Sequence, residues 1–74
     1  MSDLPNAAIK RILLANGVPR ISASSVGIAA DAAQEYLVKL AKGAVESMNA
    51  AKRKTVMDED IQAAKTAISS GRIF

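Results

Sequence analysis

From Ser22 to Ala51 the charged and amide residues Asp31, Glu35, Lys39, Lys42, Glu46 and Asn49 recur every three or four positions. That spacing draws one narrow polar stripe along a helix of roughly thirty residues, about 45 Å long at 1.5 Å per residue. The rest of the circumference is apolar or small. Val26, Ala30, Ala33, Leu37, Leu40, Ala44, Met48 and Ala51 form one row, flanked by Ala29, Ala32, Tyr36, Val38, Ala41 and Val45. A surface helix shows a single apolar stripe, and one that is apolar nearly all round expects neighbours on several sides. Tyr36 and Met48 are therefore expected in the core, and the remaining chain is too short to cover such a helix alone.

A shorter helix is expected before it. Leu4-Pro5 opens it, since proline suits a first helical turn, and Ala8, Ile9, Ile12 and Leu13 recur at helical spacing. Asn16-Gly17 stops it through the left-handed conformation that glycine accepts. Val18 to Ile21 is an extended link carrying Arg20, after which Ser22, with Ser24 and Ser25 as competitors, offers a hydroxyl cap to the long helix. Within that helix Glu35–Lys39 and Lys42–Glu46 are spaced as i,i+4 ion pairs. Lys52 to Met57 is a second link, with Thr55-Val56 favouring extended backbone. Asp58, Glu59 and Asp60 then begin a third helix, where negative charge suits the dipole; Ile61, Ala64 and Ile68 face inward, and Ser69-Ser70-Gly71 ends it. The acidic triplet has the look of a metal cluster, but dipole compensation accounts for it and no metal site is expected. The expected class is all-α: short helix, long helix, short helix in one domain, 1–74.

Composition narrows what such a chain can do. Seventy-four residues with no cysteine and no histidine have neither a disulfide nor an ordinary zinc site to hold a small core together, which leaves oligomerisation. The same absence removes the usual catalytic bases and nucleophiles, and no glycine-rich phosphate loop occurs, so neither an enzyme nor a cofactor is expected. No signal peptide or membrane-spanning run is apparent, and a reducing cytosolic compartment fits. Ten Lys and Arg against seven Asp and Glu give a net charge of +3. The basic residues gather as Lys10, Arg11 and Arg20 and again as Lys52, Arg53 and Lys54. Taken alone, Arg11 reads more readily as a solvated helix-edge residue and the second cluster as a solvated turn, while Arg20 reads equally as a helix-terminus cap.

In this order and spacing Leu4-Pro5, Ile9, Arg11, Gly17, Arg20-Ile21-Ser22, Arg53-Lys54-Thr55-Val56 and Glu59-Asp60-Ile61 make the chain resemble the archaeal histones across almost its whole length. The resemblance implies a histone fold and a handshake homodimer whose long helices cross, with Val26, Ala33, Leu37, Leu40 and Ala44 in the dimer core. In such a dimer the first link of one chain lies beside the second link of its partner. It further implies binding of double-stranded DNA with little sequence preference: Arg11 in the minor groove, Arg20, Ser22, Lys52, Lys54 and Thr55 at the paired links, and Arg53 with Asp60 in a salt bridge bracing the second link. Arginine in a narrow minor groove reads shape and potential rather than bases, while lysine and threonine neutralise and bond phosphate.

Some positions depart from the family pattern. Ala50 stands where a histidine is common, Ser47 and Ala63 where larger aliphatics are common, and Lys52 where a glycine is customary. Weaker or altered dimer–dimer contact at Ser47, Ala50 and Ala63 is expected. The expected function is a chromosome-associated protein that bends, wraps or compacts duplex DNA. Two alternatives remain open: a histone-fold interaction subunit that grips little DNA, and a small helical dimeric regulator.

Overall fold

The computed structural model describes residues 3–71 and places three helices, with no strand among the described residues: α1 Asn6–Ala15, α2 Ala23–Ala50 and α3 Asp58–Ser69. By internal packing the chain divides into two compact units, Met1–Glu35 and Tyr36–Phe74.

In the first unit, Pro5 is the cap and not a helical residue. Its backbone is extended (φ −65°, ψ 121°), and its carbonyl accepts the Ile9 N–H at 3.2 Å. The helix therefore opens one residue later than the proline rule suggests. It ends at Asn16 and at Gly17, whose φ is +99°. There the Gly17 N–H reaches the Leu14 carbonyl and the Val18 N–H reaches that of Leu13, the paired bonds that close a helix through a left-handed residue. The N-terminal segment is tied to α2 by the Asp3 N–H, which donates to Gln34 Oε1 at 2.6 Å. Val26 and Ala30 are buried here.

In the second unit, Ala44, Ala64 and Asp60 are buried, with Ile61 and Ile68 half-buried beside them. The buried apolar residues of the described chain are thus one valine and three alanines, and its largest fully buried side chain is a carboxylate. Larger apolar groups lie open: Ile28 (71% exposed), Ile12, Tyr36, Leu37 (48%), Val38 and Val45. Tyr36, at 43% exposure, lies open in the single chain and is not covered by the chain's own core. Met48 is half-buried. The expected i,i+4 ion pairs on α2 do not close either. Among the described residues the ion pairs are those of Arg53, and exposed lysine and glutamate gain too little from pairing to be held in one geometry.

Candidate nucleic-acid interface

The first link is closed by hydroxyl chemistry. Ser22 precedes α2, and its Oγ accepts the Ser25 N–H at 3.1 Å, satisfying one of the helix's unpaired amides. The Ser22 hydroxyl also lies 2.9 Å from Ser25 Oγ, to which it donates, and the Ser22 carbonyl accepts the Val26 N–H at 3.0 Å. Of the three serines available, Ser22 is the cap. Its hydroxyl faces into the helix start and is already engaged. Arg20 is exposed, as is Arg11 on α1, and neither has a hydrogen-bond or ion-pair partner among the described residues.

The second link is built around an ion pair. α2 ends with the Lys52 N–H on the Asn49 carbonyl (2.9 Å) and the Arg53 N–H on that of Met48 (3.1 Å), the same closure that ends α1. The residue in the left-handed position is Lys52, with φ +58°, the one non-glycine with positive φ among those described. Its customary glycine is thus replaced at a site whose backbone favours glycine. Arg53 then folds across the link. Its Nη1 donates to Asp60 Oδ2 at 2.7 Å and to the Thr55 carbonyl at 3.1 Å, while its Nη2 donates to Asp60 Oδ1 at 3.0 Å and Glu59 Oε1 at 2.9 Å. Two parallel N–H···O bonds to one carboxylate are the strong, geometrically selective form of this contact.

Asp60 receives two further donors: the Ser47 hydroxyl at 2.7 Å and the Met57 N–H at 2.8 Å. The Met57 bond reaches back from the third residue of α3 to its cap, half of a capping box. A fully buried carboxylate is tolerated because its oxygens are filled by donors and its charge is opposed by a guanidinium. The Arg53 hydrogen bonds, then the Met57 and Ser47 donors, hold it well below the usual carboxylate range against the opposing effect of burial. The same bond holds the Arg53 guanidinium above its ordinary value. Ser47 and Glu59 are members of this brace that sequence reasoning missed. Ser47 lies thirteen residues from Asp60, and no local spacing rule connects them.

Lys52, Lys54 and Thr55 are exposed around the brace, with Thr55 joined to it only through its carbonyl. The helix starts differ in the same sense. α1 and α2 carry no acid in their first turns, whereas α3 carries Asp58, Glu59 and Asp60. The positive ends of α1 and α2 are therefore open to an external anion, and that of α3 is already compensated. Ser47, Ala50 and Ala63 line a shallow hollow of about 330 Å³ with Gly43, Glu46 and Ala67. Of the residues expected in a dimer core, Val26 and Ala44 are buried in the single chain, Ala33 and Leu40 are half-buried and Leu37 is open.

Residues 2–64 match the family described as histone-like transcription factors (CBF/NF-Y) and archaeal histones. The chain belongs to this family. Its three helices, short, long and short, are those of the histone fold. It is 39% identical over 64 residues to Probable archaeal histone 3 of Methanocaldococcus jannaschii, covering 86% of this chain and 96% of that protein. It is 36% identical over 67 residues to the archaeal histone HAN1 of Thermococcus zilligii, covering 90% of this chain and all of that one. In general terms this histone is a DNA-binding chromatin protein. Among its described residues no helix is long and apolar enough to cross a membrane.

Proposed function

We propose that this histone forms a handshake homodimer through α2 and bends, wraps or compacts duplex DNA on the chromosome in the cytoplasm, with little sequence preference and without catalysis. The observation that carries the DNA reading is the state of its cations. Arg11, Arg20, Lys52 and Lys54 are exposed with no acid partner among the described residues, while Arg53 alone is spent on an internal brace. Such cations displace counterions from phosphate, which gives affinity without base readout. Homodimerisation is supported by the open apolar side chains of Tyr36, Leu37, Val38 and Val45 on α2, which the chain's own small buried set does not cover. A two-fold partner uses one patch for both chains. Crossing of the long helices would set Arg20 and Ser22 of one chain beside Lys54 and Thr55 of the other.

Contact between dimers through Ser47, Ala50 and Ala63 is weak in this reading. Apart from Glu46, the hollow at that end is lined by small side chains, and the acceptor sites of Asp60 are filled from within its own chain. The test is duplex affinity as a function of salt, with nuclease digestion of the reconstituted complex. Log K should fall with log salt by about 0.9 per phosphate neutralised, and Arg20→Ala with Lys54→Ala should flatten that slope while leaving Tm nearly unchanged. A single short footprint, not a ladder of growing protection, is expected from weakly joined dimers. A flat, weak binding curve for the wild type would overturn the DNA reading.

A further inference from the structure

Between α1 and the first link lies an open hollow of about 530 Å³, lined by Lys10, Leu14, Pro19, Arg20, Ile21 and Ser22. Lys10 and Leu14 are four residues apart on α1 and so share one helical face. That face borders the link, whereas Arg11, one residue on, is turned about 100° away and does not line the hollow. Lys10 also lines the adjoining hollow of about 220 Å³, again with Ile21, beside Asn6 and Ala23. Two cations from separate elements thus converge on one concavity. No acid lines either hollow, and neither Lys10 nor Arg20 has a partner among the described residues. Ser22 contributes a hydroxyl already engaged by Ser25, so recognition falls to charge.

From this arrangement we infer that Lys10 is a DNA-contacting residue, and that Lys10 and Arg20 of one chain grip the same backbone phosphate in this hollow. The inference rests on the DNA reading above and adds to it a residue and a stoichiometry. Two nearby cations on a concave surface raise the local potential more than either does alone, and a phosphate offers oxygens to both. Lysine acts as a point charge and arginine as a fork, so the two need not compete for one oxygen.

The test compares the intact protein with Lys10→Ala, Arg20→Ala and the double variant, using one duplex over a salt series. Each single change should weaken binding about three- to tenfold at low salt. The double should lower the salt slope by about 0.9 per chain, the value for one phosphate, where two independent contacts would give about 1.8. Lys10→Arg should retain wild-type affinity, and thermal melts of all variants should coincide because both side chains are exposed and unpaired. The inference is overturned if Lys10→Ala binds as the wild type does while Arg20→Ala weakens binding. A double-variant slope change of about 1.8 would overturn the shared phosphate, assigning the residues to separate ones. A flat wild-type curve is a different result, because it overturns the DNA reading itself.

Discussion

The first link leaves Arg20 unpaired at the surface and is closed by the hydroxyl of Ser22, whereas the second folds Arg53 onto a fully buried Asp60. Both join a short helix to the long one; the first carries a single basic residue, Arg20, and the second three in a row, Lys52, Arg53 and Lys54. They differ in what the charge does. In the first it is left free to meet an external anion; in the second one cation is withdrawn to shape the backbone, and its neighbours Lys52 and Lys54 stay outside. A basic residue in a link is thus not by itself evidence of a binding role. Whether a nearby acid can close on it decides the matter.

That contrast can be broken most severely at Asp60. Replacing it by asparagine removes the charge opposing Arg53 and places an amide donor among four existing donors. Removing one member of a buried pair leaves the other uncompensated, so Tm should fall by about 10 °C or more. A circular-dichroism melt checks this, and a shift under about 3 °C would show that the brace contributes little.

The pH dependence follows from the same group. Its folded value is lowered from the ordinary 3.8, so its contribution is fully present above pH 3.8 and is lost as the pH falls below that toward the folded value. Melts of wild type and Asp60→Asn between about pH 7 and 2 should therefore keep a constant gap down to about pH 4 and converge below it. A gap that closes at neutral pH would contradict the sign.

Smaller effects are expected at the caps. Ser22→Ala should cost about 1 kcal/mol of stability through the lost cap, with DNA affinity nearly unchanged because the hydroxyl is engaged within the helix start. Chemical denaturation and a binding titration read the two separately. Lys52→Gly should act in opposite directions. Relief of the left-handed backbone (φ +58°) should raise Tm by about 2–5 °C. Loss of an exposed cation should lower the salt slope of DNA binding by up to about 0.9 per chain. A fall in both would mean that the lysine side chain supports the link itself.

Much of this was legible before any coordinates. The three helices follow from the three-to-four-residue apolar spacing and from the acids opening α3, and the stops of α1 and α3 from Gly17 and Gly71, all local features of the chain; α2 instead stops at the left-handed Lys52, with no glycine to mark it. The Arg53–Asp60 pair came from resemblance to a family, not from spacing. What spacing could not supply were Ser47 and Glu59 as further members of that brace, and Lys10 as a neighbour of Arg20. Each depends on which faces of two elements meet. Tyr36 is a related case: its helical position marks it as apolar-facing, but its 43% exposure in the single chain depends on what covers that face.

The sequence by itself determined the three helices to within a residue or so at their ends and how apolar α2 must be, because capping, glycine conformation and side-chain periodicity act over a few residues. The tertiary structure decided how each charge is used. Whether a cation is free or spent depends on an acid brought within hydrogen-bond distance by packing, and a Coulomb interaction changes several-fold with burial. Hence Asp60, one of three consecutive acids in the sequence, became the buried centre of a link, while Arg20, one basic residue among ten, was left facing outward.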